Sequence, residues 1–153
     1  DKLGISPHQV NIQLQPNGKP FVQGGKTIYF NLSHSGDVIV LAVTEEGEIG
    51  VDVERVNREF EWKRVDSVLA LSEIDWIQEN ESTDPFSVYQ RFFQIWTLKE
   101  SYIKCTGHGM SSHLKKLNFH VFSEHIQFFD ATHYAQNTEQ YHFQSYIYDC
   151  NFI

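Results

Sequence analysis

Cysteine is scarce in this chain of 153 residues: Cys105 and Cys150 are the only two, and they form no CxxC pair. Neither has zinc-like spacing to a histidine, and the eight histidines show no HxH or HExxH arrangement, so zinc chemistry is disfavoured. Two reduced thiols in a cytosolic protein are expected. Long apolar runs are also missing: no stretch approaches the ~18 residues of a membrane span. The first residues do not resemble a signal peptide, and the expectation is a soluble, cytoplasmic protein. Basic residues are in deficit, 12 Lys and Arg against 20 Asp and Glu, for a net charge of -8. Such a surface does not attract nucleic acid or anionic lipid as a whole, which leaves only local basic patches to do so. No internal repeat, low-complexity segment or obvious linker interrupts the chain.

What is abundant is apolar and aromatic material, 41% and 14% of residues, enough for one folded domain with a core. His8–Leu14 alternates and ends in the turn cluster Pro16-Asn17-Gly18-Lys19-Pro20. Thr27–Leu32 and the nearly continuous apolar run Asp37–Thr44 read as strands. After the turn Glu45-Glu46-Gly47-Glu48, Ile49–Arg55 reads as another. The period then changes. Glu61–Ala70 is helical, and Ser72–Gln78 opens with a capping signal at Ser72 and acids in the first turn. Asp84-Pro85 is a good start for a long helix reaching Cys105, ended by Gly107 and Gly109, with Val88, Phe92, Ile95, Trp96, Tyr102 and Ile103 as its buried stripe. Alternation returns in Leu117–Phe122, Ile126–Phe129 and Tyr141–Ile153. The fold class is α+β.

Three stretches carry chemistry. In Gly50-Val51-Asp52-Val53-Glu54 the strand period puts Asp52 and Glu54 on one face, where like charges repel unless something positive sits between them. A hard divalent cation such as Mg²⁺ would reward the pair, and Gly50 permits close approach to the backbone. Near the end of the long helix, Glu100 and Lys104 are four apart on one face, at the margin of the buried stripe. The loop Asn31-Leu32-Ser33-His34-Ser35-Gly36, between two expected strands, offers hydroxyl and imidazole donors to an anion. Each has an ordinary reading on its own: a solvated strand edge, a surface ion pair, a polar turn.

Taken together, in this order, the stretches resemble the Sfp-type 4′-phosphopantetheinyl transferases. The likeness runs through Gly18-Lys19-Pro20-Phe21, the run FNLSHSG from Phe30 to Gly36, IGVDVE from Ile49 to Glu54, and WTLKESYIKCTGHGM from Trp96 to Met110. The family pattern G-[IV]-D-[IV]-E, followed further along by W-[ST]-x-K-E-[AS]-[FY]-x-K-x-x-G-x-G, is matched at every defined position, and the resemblance covers nearly the whole chain. It implies an antiparallel sheet packed with a long helix, in a two-half, pseudo-twofold architecture. It also implies transfer of the 4′-phosphopantetheine arm of coenzyme A to a serine of an acyl or peptidyl carrier protein.

By the same resemblance Asp52, Glu54 and Glu100 would hold Mg²⁺, with Mn²⁺ as an alternative ion. Lys104 would neutralise the coenzyme A pyrophosphate and protonate the departing 3′,5′-ADP. Glu100 would serve as the base, directly or through water. Ser33 and His34 would contact the phosphates, and Gly18, Lys19 and Pro20 would line the adenine. Lys99 matches a family lysine to which the sequence assigns no role. Residues 1–46 would be the tail of the first half and 47–153 most of the second, with weak coenzyme A binding and exposed strand edges expected of the chain in isolation. A missing half or a homodimer partner would then close the cleft. Carrier proteins are acidic, so docking would use apolar contact plus a basic patch, Lys63 and Arg64 or Lys115 and Lys116. Two rivals remain: a non-catalytic carrier-binding or coenzyme-binding remnant, and a metal-dependent nuclease. The net charge opposes the nuclease.

Overall fold

A computed structural model describes residues 6–24, 27–56, 60–79, 85–107, 114–131, 140–149 and 151–153. The chain divides into two compact units, Asp1–Val53 with Glu100–Gly109, and Glu54–Lys99 with Met110–Ile153. Among the described residues, one long helix, several short ones and three two-stranded antiparallel sheets make up the fold, in line with the expected mixture of helix and antiparallel strand.

In the first unit β1 (Asn11–Leu14) pairs with β2 (Pro20–Gln23), Leu14 opposite Pro20. β1 is shorter than the expected His8–Leu14, because Pro7–Gln9 is a 3-10 turn. β2 has no counterpart among the expected strands, and only its first residue, Pro20, falls in the expected turn cluster. A proline can open a strand because its missing N–H is not yet needed by the ladder. Gly18, at φ 85°, closes the turn with its N–H on Gln15 O, while Gln15 N–H donates to Lys19 O.

β3 (Tyr29–Ser35) and β4 (Val38–Thr44) form a hairpin through Gly36-Asp37, with Gly36 at φ 58°. Glycine takes that left-handed conformation without a Cβ penalty, as two-residue hairpin loops require. The expected loop Asn31–Gly36 is strand as far as Ser35, where the ladder to β4 continues, and alternation along β3 buries Asn31 and Ser33 and exposes Leu32 and His34. The apolar run of β4 is not buried on both faces: Ile39, Leu41 and Val43 are exposed.

The expected strand Ile49–Arg55 does not form as a regular strand; only Arg55 makes a bridge, to Phe152. The reason lies in its partners. Val51 N–H donates to Asn31 Oδ1 at 2.9 Å and Val53 N–H to Ser33 Oγ at 3.4 Å, so β3 side chains replace a backbone ladder on that stretch. The extended chain is held beside β3 by the two inward polar residues of that strand.

In the second unit the helical pattern around Glu61–Ala70 becomes a 3-10 helix, Trp62–Val68. α1 (Leu71–Gln78) has Ala70 and not Ser72 at its N-cap, and the Glu73 carboxylate accepts from Ala70 N–H at 2.7 Å. α2 (Pro85–Thr106) is the predicted long helix; Asp84 and Gly109 lie outside the described residues. β5 (Leu117–Val121) and β6 (Ile126–Asp130) form the third hairpin. Among the described residues of Tyr141–Ile153 there is no regular strand, only bridges from Phe152 to Arg55 and to Tyr148.

Phe92 is the hub of this unit's core, its ring centroid 5.2 Å from those of Phe60 and Phe93 and 6.2 Å from that of Trp96. Burial of such a ring contributes roughly 1.5–3 kcal/mol. Phe119 stacks on Phe128 at 4.7 Å, with Phe143 edge-on to Phe119 at 4.9 Å. Among the described residues, no helix is long and apolar enough to cross a membrane.

Candidate functional site

The last two turns of α2, from Glu100, belong to the first unit and carry Lys104. Its ammonium donates to Asp52 Oδ1 at 2.5 Å and to Ser33 Oγ at 2.9 Å. Ser33 Oγ in turn donates to the same Asp52 oxygen at 2.8 Å. Residues from the loop-like 48–53 segment, β3 and α2 thus meet at one carboxylate. The Asp52 side chain is 5% exposed and that of Lys104 29%, so the charge pair sits at a boundary where Coulomb attraction is stronger than in open water.

Asp52 Oδ2 is buried and has no hydrogen-bond partner among the described residues. A buried, unsatisfied carboxylate oxygen is costly, and a hard cation would satisfy it. The donor chemistry therefore fits a magnesium-like ion at Asp52. The structure does not assemble a full cage: among the described residues no group of three His, Cys, Asp or Glu is gathered to hold a metal. Glu100 contributes a buried carboxylate oxygen, Oε1, to the first unit, whereas Glu54 belongs to the second. There Glu54 pairs through its backbone with Ile153, N–H to O at 2.8 Å and the reverse at 3.0 Å.

Ser33 faces Asp52, but His34, one residue on, is exposed on the opposite side of β3. Lys19 and Pro20 line a pocket of about 310 Å³ in the first unit, together with Phe21, Tyr29 and Phe30. Gly18 sits in the neighbouring turn. The Lys19 ammonium is already engaged: it donates to Glu48 Oε2 at 2.5 Å, Cys105 O at 2.8 Å and Ile49 O at 3.2 Å.

Gly50 explains how the two carriers of the site approach. A Cβ there would lie 1.9 Å from Ser101 O and 2.6 Å from Cys105 N, inside the backbone of α2. Gly50→Ala should therefore push the 48–53 segment off the helix and destabilise the fold by roughly 1–3 kcal/mol or more, measured by denaturant unfolding. An unchanged midpoint would mean that the close approach is not needed. Cys105 forms no disulfide, and its Sγ lies 3.4 Å from Glu48 O. Burial pushes its thiol up, Lys19 pulls it down and Glu48 adds to the rise.

Lys99, to which the sequence assigns no role, pairs with Glu73, expected only as a first-turn acid. Both are fully buried in the second unit, with Lys99 Nζ 2.9 Å from Glu73 Oε2. Lys99 also donates to Leu114 O at 2.9 Å and to Leu117 O, and Glu73 Oε1 accepts from Phe119 N–H at 2.9 Å. The two residues are far apart in sequence, and no local spacing could have paired them.

The family model described as "4'-phosphopantetheinyl transferase superfamily" matches residues 48–150. The chain is 38% identical over 91 residues to "4'-phosphopantetheinyl transferase AcpT" of Salmonella typhimurium, covering 59% of this chain and 46% of that protein. It is 38% identical over 108 residues to "4'-phosphopantetheinyl transferase gsp" of Aneurinibacillus migulanus, 71% of this chain and 43% of that protein. Over 141 residues it is 30% identical to "L-aminoadipate-semialdehyde dehydrogenase-phosphopantetheinyl transferase" of Xenopus laevis, 79% of this chain and 43% of that protein. The chain spans less than half the length of these three relatives.

Proposed function

Since the chain belongs to the 4'-phosphopantetheinyl transferase superfamily, we propose that the polypeptide carrying it transfers 4′-phosphopantetheine from coenzyme A to a serine of an acyl or peptidyl carrier protein. The observation that carries this reading is the meeting of Lys104, Asp52 and Ser33. Phosphoryl-centred transfer asks the protein for positioning and charge neutralisation more than for covalent chemistry. A lysine beside a buried carboxylate whose second oxygen has no partner among the described residues supplies the parts for it.

In the proposed reaction the serine oxygen of the carrier bonds to the phosphorus that bears pantetheine, and the pyrophosphate P–O bond to 3′,5′-ADP breaks. Glu100 takes the serine proton. Lys104 swings from Asp52 onto the pyrophosphate, neutralises it and donates a proton to the leaving group. Asp52, Glu54 and Glu100 would hold Mg²⁺, which when bound would add positive charge where the leaving group's charge develops. Ser33 orients Asp52 and Lys104, and its hydroxyl is within reach of a phosphate bound there. The pocket beside Lys19 and Pro20, with its aromatic walls, supports seating the adenine against the backbone of the Gly18-Lys19-Pro20 turn.

The direct test is incubation with coenzyme A, Mg²⁺ and an apo-carrier protein. A carrier mass gain of one phosphopantetheine is the expected result. Failure of a range of apo-carriers to gain mass, with the protein folded and coenzyme A present, would favour the non-catalytic remnant instead.

A further inference from the structure

We propose that Lys19 is a positioning residue for Lys104: its ammonium locks the final turn of α2 onto the 48–50 segment and takes no part in holding the coenzyme's charge. The catalytic consequence rests on the transferase reading above; the clamp is a property of the fold.

An ammonium has three N–H donors. Those of Lys19 are matched by three protein acceptors, the Glu48 carboxylate, Ile49 O and Cys105 O, and the side chain is 8% exposed. No donor is left for a phosphate. Cys105 O is one of the carbonyls at the C-terminal end of α2, where a cation is favoured by the unpaired backbone acceptors and the helix dipole. Two close approaches flank the ammonium. Gly50 lies against Ser101 O and Cys105 N, and a Cβ on Gly107 would meet Asn17 Nδ2 at 2.1 Å. Asn17 belongs to the same turn as Lys19 and accepts from Lys19 N–H at 3.1 Å.

The 15–19 turn, the 48–50 segment and the 101–107 helix end therefore interlock around one nitrogen. Lys104 precedes the clamped Cys105, and Asp52 follows Gly50 by two residues. The 2.5 Å contact between Lys104 and Asp52 is thus set from both sides by the Lys19 clamp.

The experiment compares Lys19→Met, Lys19→Arg and Glu48→Gln in the natural polypeptide that carries this chain. Hydrogen exchange needs no substrate. Lys19→Met and Lys19→Arg should speed exchange of the Ser101–Gly107 amides by roughly tenfold or more, with β5 and β6 unchanged. Arginine keeps the charge but its planar fork cannot converge on three acceptors around one point. In the transfer assay both variants should lower kcat by roughly tenfold while KM for coenzyme A stays within about twofold. If Lys19→Met does not fold, Glu48→Gln, which leaves both carbonyl acceptors in place, should show smaller changes of the same kind. Unchanged exchange at Ser101–Gly107 would overturn the proposal. So would a raised KM for coenzyme A at constant kcat in Lys19→Met that Lys19→Arg restores. A wild-type protein without transfer activity would count against the proposed reaction, and the exchange result alone would then decide the role of Lys19.

Discussion

Asp52→Asn is expected to lower phosphopantetheine transfer by a factor on the order of 100 to 1,000, the scale of losing one preorganised electrostatic group from an active site. The amide keeps the shape of the side chain and can still accept from Ser33 and Lys104, but it removes the negative charge. Two proposed functions of Asp52 would disappear together. The buried Oδ2, without a partner among the described residues, can no longer offer a hard anionic ligand, and the resting counter-ion of Lys104 is gone. Stability should change little by comparison, because the Lys104 side chain is 29% exposed and water can compensate it. The measurement is carrier mass gain against time, paired with a thermal melt. Transfer at the wild-type rate would remove Asp52 from the site.

The second large effect is on folding and lies in the other unit. Lys99→Met should cost about 3–5 kcal/mol, because among the described residues it leaves the buried Glu73 carboxylate with the Ala70 and Phe119 N–H donors and no charge partner. The paired change of Lys99→Met with Glu73→Leu should recover part of that loss, since the cost of breaking a buried pair exceeds the net worth of having it. Denaturant midpoints of the two singles and the double form the cycle. Losses that simply add would show that the two charges do not depend on each other.

The same pair predicts a pH dependence. Burial lowers the Lys99 ammonium from its ordinary value, with Glu73 pulling it back up. A lowered folded value means that, between it and the unfolded value near 10.5, the unfolded chain binds more protons. This group's contribution to stability should therefore be largest above the unfolded value and be lost as pH falls through the folded one. Lys99→Met should flatten that limb of the stability profile. A profile with the same alkaline slope in the variant would assign the slope to other groups.

Several features of the fold were legible because they are local. Gly18 and Gly36 marked turns, and the caps and apolar spacing marked α2, whose observed Pro85–Thr106 differs by one residue from the expectation. The expected strand Ile49–Arg55 does not form, for a physical reason. Its sequence has strand period, but the N–H groups of Val51 and Val53 are taken by the Asn31 and Ser33 side chains, and alternation cannot show that. β2 was hidden by a proline that marks turns far more often than strand starts.

The sequence by itself determined the family, through two motifs whose residue types and order are dictated by chemistry: GVDVE and the WTLKESYIK helix. It also determined which side chains carry charge in those motifs. Which charges meet was decided only by tertiary structure, because contact between distant segments depends on packing, not on spacing along the chain. Spacing along the chain names no partner for Lys19 or Lys99, and offers Lys104 only its helix neighbour Glu100. Folding gives Lys104 a half-open place against Asp52, buries Lys99 on Glu73, and engages Lys19 at the end of a helix. The cost of leaving an ammonium without acceptors away from water fixes each of these arrangements, and only the folded chain can say where the acceptors are.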